Sequence, residues 1–69
     1  MRFLLIEDNM QLAANIVERL QLDGHAVDHA DTLEAAEDLM AVASFDLILL
    51  DIMLPDGDGR SFLERHRQA

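Results

Sequence analysis

Two short apolar runs each end in acid. Glu7 and Asp8 follow Phe3-Leu4-Leu5-Ile6, and Asp51 follows Leu47-Ile48-Leu49-Leu50. A parallel strand covered on both faces holds no charge in its interior, whereas its carboxyl end opens into the crevice where α/β sheets bind ligands. If the two runs lie side by side, the three carboxylates converge on one rim. Like charges that close repel by roughly 4 kcal/mol per pair at about 4 Å and an effective dielectric of about 20. A hard cation such as Mg²⁺ reverses that penalty, because it takes oxygen ligands and favours dense negative charge. A single Asp at a strand end is most simply a solvated terminator. Acidic ends on adjacent strands are not explained by solvation, and an acidic metal site on a parallel sheet is the expected chemistry.

The elements that must position these acids can be traced along the chain. Residues 2–7 read as a buried strand, and Asp8 or Asn9 can cap the helix after it. Leu12, Ile16, Val17 and Leu20 recur at helical spacing, and Gly24 stands where a left-handed C-terminal cap is expected. Residues 25–30 alternate as a weaker strand near a sheet edge, with His25, Val27 and His29 on one side. Asp31 and Glu34 form a capping box for a second helix whose apolar stripe is Leu33, Ala36, Leu39, Met40 and Ala43. Ser44 to Asp46 is a short turn, and residues 47–50 a fully buried strand. Pro55-Asp56-Gly57-Asp58-Gly59 is turn chemistry. A third helix is expected over residues 60–68, anchored by Phe62 and Leu63. The order β-α-β-α-β-α calls for a parallel sheet with right-handed crossovers, a doubly wound α/β fold stopped after three strands.

Composition narrows the function. The 69 residues make one marginal domain, yet 51% of them are hydrophobic, so apolar surface is left over for a partner. There is no cysteine, hence no disulfide and no thiolate metal site. Fourteen acids face five arginines and no lysine, for a net charge of −9, which argues against nucleic-acid binding by this piece. No apolar stretch is long enough to span a bilayer and no leader pattern opens the chain, so no membrane contact and a cytoplasmic location are expected.

Three segments are distinctive together: Leu4-Leu5-Ile6-Glu7-Asp8-Asn9, Gly24-His25-Ala26-Val27, and Asp46-Leu47-Ile48-Leu49-Leu50-Asp51-Ile52-Met53-Leu54-Pro55-Asp56-Gly57-Asp58-Gly59. In order and spacing they resemble the receiver domain of bacterial two-component response regulators, across essentially the whole chain. The first half is most similar to regulators whose receivers precede a winged-helix DNA-binding domain. The resemblance implies a flavodoxin-like sheet of strand order 2-1-3, with the family's fourth and fifth strands missing. It implies that Asp51 accepts a phosphoryl group from a sensor histidine kinase to control a transcriptional output. It also implies that Asp8, Asp51 and the backbone carbonyl of Met53 hold Mg²⁺, with Glu7 acting through a bound water. Pro55, Gly57 and Gly59 shape the loop. Residues 1–69 would then be a partial receiver domain, without effector or DNA-binding domain.

Departures from the pattern bear on activity. The family's fourth strand ends in Ser or Thr and its fifth in Lys, both contacting the phosphoryl group. Thr32, Ser44 and Ser61 do not occupy that fourth-strand position, and no lysine is present. In this form phosphorylation and switching are therefore expected to be impaired. The third strand, interior in the family, becomes an edge here, which predicts a homo-oligomer through that strand or by exchange of elements. A non-phosphorylated scaffold or dimerisation module is the alternative. An Asp-nucleophile phosphohydrolase fits poorly, because position 53 is Met where such sites place a second Asp. Asp56 to Gly59 lacks the ligands of a calcium loop. His25 and His29 are expected to be lone, solvent-facing histidines, and His66 part of a helix C-terminal cation cluster. Met10 and Met40 are read as gap-fillers.

Overall fold

A strand flanked on both sides must be apolar along its whole length, and Phe3 to Ile6 meet that demand. The computed structural model describes residues 1–50, 53–54 and 57–65. In it β1 (Arg2–Ile6) lies between β2 (Ala26–Ala30) and β3 (Leu47–Leu50), parallel to both, giving the expected order β2-β1-β3. Helix α1 (Met10–Leu22) links β1 to β2, and α2 (Leu33–Val42) links β2 to β3. A two-residue hairpin follows, β4 (Met53–Leu54) antiparallel to β5 (Gly57–Asp58), and then α3 (Gly59–Arg65).

Side chains of a strand alternate between faces, so β1 feeds two layers. Leu4 and Ile6 join Ala30, Leu33, Ala36 and Phe62 in one buried cluster, with Leu39, Met40, Phe45, Ile48 and Leu50 packed around it. Phe3 and Leu5 are buried as well and point by alternation to the opposite face, where α1 packs along β2. That second face is less complete. Ala13 is buried, Ile16, Val17 and Leu20 are half-buried, and Leu12 is 44% exposed.

Each end of α1 is closed by local chemistry. The Asn9 side chain accepts from the Leu12 N–H at 3.0 Å. At the other end the His25 N–H reaches the Leu20 carbonyl and the Gly24 N–H the Gln21 carbonyl, each at 3.0 Å, with Gly24 at φ +88°. This is the Schellman pattern, and it sets the direction in which β2 starts. At the foot of the sheet, the Arg2 N–H donates to Asp46 Oδ2 (2.7 Å) and the Asp46 N–H to the Arg2 carbonyl (2.8 Å), clamping the start of β3 to β1. On α3, Arg65 bridges Glu37 of α2 at 2.9 Å, holding Phe62 over the core.

Several sequence expectations need correction. Thr32, not Asp31, caps α2: its hydroxyl accepts from the Ala35 N–H at 3.1 Å. The register of the expected Asp31–Glu34 box is therefore off by one, and the reciprocal position holds Ala35. The β3 strand is not fully buried. Leu47 is 46% exposed and the other three residues are half-buried, because among the described residues β3 pairs with β1 alone. Strand β4 precedes the segment 55–59 read as a turn and β5 falls inside it, and α3 starts at Gly59 rather than Arg60. Met10 is 60% exposed and fills no gap, whereas Met40 does pack against the core.

Phe62 is fully buried at the centre of the main cluster. Phe62→Ala is expected to cost about 3–5 kcal/mol, comparable to the whole stability of about 3–10 kcal/mol for a chain this short. Urea unfolding followed by circular dichroism should show its cooperative transition lost, while Leu22→Ala, at a site 75% exposed, stays within about 0.5 kcal/mol of wild type. Gly24→Ala isolates a backbone term, since an added Cβ would meet nothing within 4 Å yet φ is +88°. It should destabilise by about 1 kcal/mol.

Candidate functional site

The first charge after the apolar run of β1 sits where the strand leaves the sheet. Glu7 is buried (9% exposed) and Asp8, one residue on, is exposed. Asn9 then begins the cap of α1, so the acidic pair occupies the two-residue link between strand end and helix cap. The Glu7 N–H donates to the Ala30 carbonyl at 3.0 Å, one rung beyond the last ladder pair, Ile6 with Ala30. A buried carboxylate is tolerated only when hydrogen-bonded. Glu7 Oε2 accepts from the Asp8 N–H at 3.1 Å. Among the described residues, Glu7 lines a groove of about 400 Å³ together with Leu5, Ile6, Ile16, Leu49 and Leu50.

The sheet register decides what else can reach this rim. Ile6 pairs with Leu50 across the parallel β1–β3 ladder, so the residues preceding Glu7 and Asp51 are direct neighbours. Asp51 itself lies outside the described residues, as do Pro55 and His66. Met53 begins β4, paired with Asp58. Gly57 pairs with Leu54, and Gly59 opens α3. Among the described residues no group of three or more His, Asp or Glu is gathered to hold a metal. Two carboxylates on adjacent residues are present, and an oxygen-only donor pair of this kind suits a hard divalent cation.

The histidines are not the solvent-facing residues expected. Both are half-buried. The His25 ring packs against Phe3 with centroids 4.8 Å apart, and its Nδ1 lies 3.4 Å from the N-terminal amine. His29 Nε2 lies 2.8 Å from the Glu7 carbonyl oxygen, at the acidic rim itself. His29 pairs with Leu5, two residues before Glu7, so a long side chain from the edge strand reaches the end of β1. Among the described residues no helix is long and apolar enough to cross a membrane.

Comparison with known proteins agrees with this architecture. The sequence signature of the response regulator receiver domain matches residues 3–69. The transcriptional regulatory protein BasR of Escherichia coli K12 is 37% identical over 99% of this chain, which spans 31% of that relative. The swarming motility regulation protein RssB of Serratia marcescens is 39% identical over the whole chain, which spans 32% of it. The chain thus covers about a third of the length of these relatives. Among solved structures, the non-phosphorylated HemR receiver domain from Leptospira biflexa superposes with a TM-score of 0.87 at 42% identity, over 93% of this chain and 52% of that one. A two-component response regulator from Clostridium difficile gives 0.92 at 28% identity, over 94% and 54%. With the three-stranded parallel sheet, the acidic rim and a signature spanning residues 3–69, this chain belongs to the response regulator receiver domain family.

Proposed function

We propose that the chain is the N-terminal part of a receiver that takes a phosphoryl group on Asp51 from the phosphorylated histidine of a sensor kinase, in a regulator of transcription. The observation that carries this reading is the β1–β3 register: with Ile6 beside Leu50, the chain leaves both strands at the rim where Glu7 and Asp8 stand. In the transfer, the P–N bond to the kinase imidazole breaks as a P–O bond forms to an Asp51 carboxylate oxygen, giving an acyl phosphate. Asp8, Asp51 and the Met53 carbonyl would hold Mg²⁺, with Glu7 reaching it through water. When bound, Mg²⁺ neutralises charge on the phosphoryl oxygens and the acceptor. Glu7 and Asp8 supply the fixed negative charge that draws the cation in. Pro55, Gly57 and Gly59 shape the segment after Asp51. The transcriptional output follows the relatives described as transcriptional regulatory proteins.

A second reading, self-association, rests on β3. Among the described residues it is a sheet edge with Leu47 46% exposed and Leu49 and Leu50 lining the groove beside α1. An unpaired apolar edge strand recruits another strand. In this 69-residue form a second copy is the proposed partner, and the scaffold or dimerisation role is then the alternative to phosphoacceptance.

Two measurements test these readings. Incubated with a small phosphodonor and Mg²⁺, a longer regulator carrying this segment should gain one phosphoryl mass, lost in Asp51→Asn and with chelator. The 69-residue chain, which has no lysine, should gain it on the order of a hundredfold more slowly, as when one charge stabiliser is removed. A mass gain that persists in Asp51→Asn would refute the assignment, and none under any condition favours the scaffold. In sedimentation, the chain should self-associate more strongly as salt screens its net charge of −9. A compact, cooperatively melting monomer at all salt concentrations would refute the edge-pairing reading.

A further inference from the structure

Backbone pairing between β1 and β2 ends at the acidic rim. After the Glu7 N–H bond to Ala30, the chain turns away through Asp31 into the Thr32 cap of α2. At this point a side chain continues the ladder, because the His29 ring nitrogen Nε2 lies 2.8 Å from the Glu7 carbonyl. A carbonyl oxygen carries no hydrogen, so Nε2 must hold the proton and donate. The opposite pole of the same peptide unit is also held, by the Asp8 N–H donating to Glu7 Oε2 at 3.1 Å. The peptide joining the two acids is thus fixed at both ends. Its oxygen is drawn to β2 and its N–H is turned toward the Glu7 carboxylate.

We infer that His29 is a positioning residue for the Glu7–Asp8 pair: its ring donor sets the peptide plane from which both carboxylates diverge, and so the geometry they present to a divalent cation. This rests on the cation-binding reading proposed above. Without the donor the plane can rotate, which removes the Asp8 N–H from the Glu7 carboxylate and swings a carbonyl dipole toward the acids. Both changes raise the electrostatic cost of holding the pair together. The role does not depend on titration, because neutral Nε2–H imidazole and imidazolium both donate from that atom. A ring that only filled space at the sheet edge would need no nitrogen at hydrogen-bond distance from this carbonyl. Partners one bond removed from a metal ligand typically set affinity by about 10–100-fold.

The test uses Mn²⁺ as the probe, with free ion read by electron paramagnetic resonance, on the wild-type chain and on His29→Met and His29→Gln. Gln places an amide N–H near the position of Nε2, while Met fills similar volume without a donor. The expected result is Mn²⁺ binding by wild type, about tenfold weaker binding by His29→Met, and recovery in His29→Gln. Equal binding by wild type and a folded His29→Met would overturn the inference and leave the cation reading intact. No Mn²⁺ binding by wild type, indistinguishable from Asp8→Asn, would overturn both. Nitrogen-15 NMR of the wild-type ring needs no variant: Nε2–H is required, and a neutral ring protonated at Nδ1 would overturn the inference even if His29→Met failed to fold.

Discussion

A parallel strand enclosed by neighbours and helices can carry charge only at its ends, and β1 is built on that constraint. From Phe3 to Ile6 every side chain is buried, so its nearest charges are pushed to Arg2 at one end and to Glu7 and Asp8 at the other. The two rims then diverge in character. At the foot, Arg2 bridges Asp28 at 2.8 Å and lies over the Phe45 ring at 5.1 Å, which ties β1 to β2 and to the link between α2 and β3. At the head, two acidic residues are adjacent: the Glu7 carboxylate accepts from the Asp8 N–H, and the His29 ring reaches the Glu7 main-chain carbonyl. Acidic residues gather at the head, which is the end where ligands enter sheets of this kind.

The precision of the acidic rim comes from terminations rather than from the sheet alone. Asn9 closes α1 immediately after Asp8, which leaves the acid no slack between strand and helix. The Schellman end at Gly24 fixes where β2 begins and hence its register against β1, and that register places His29 within reach of the Glu7 carbonyl. Each link is a local hydrogen bond of modest worth, about 1 kcal/mol in typical cases. Together they convert a sequence spacing into a fixed direction for two carboxylates.

Much of this was legible before any coordinates, because periodicity and composition report on burial. The runs 3–6 and 47–50, the Gly24 cap and the stripe from Leu33 to Met40 all mark elements where apolar pattern and local chemistry agree. The order β2-β1-β3 came from family resemblance, since strand order is a long-range property that local pattern does not encode. Local pattern does not decide between two residues that compete for one role. Asp31 and Thr32 can both cap, and the choice went to the residue whose hydroxyl reaches the Ala35 N–H. The hairpin β4–β5 hides in turn-rich sequence because two-residue strands leave no periodicity to detect. His29 was missed for a different reason. Alternation places it on a face, but the acceptor it meets is the main-chain carbonyl of Glu7, just beyond β1, invisible to side-chain pattern.

The two faces of the sheet are unequally finished, and the inequality bears on how the rim works. The α2–α3 face is closed around Phe62, Leu4 and Ile6, all without exposed surface, and provides a stiff backing for the end of β1. Beside α1 lies a groove lined, among the described residues, by Leu5, Ile6, Ile16, Leu49 and Leu50 together with Glu7. A carboxylate beside apolar walls is poorly hydrated, so its attraction for a cation is less screened than that of Asp8 in the open. The apolar walls of the groove therefore lower the effective dielectric around the Glu7 carboxylate.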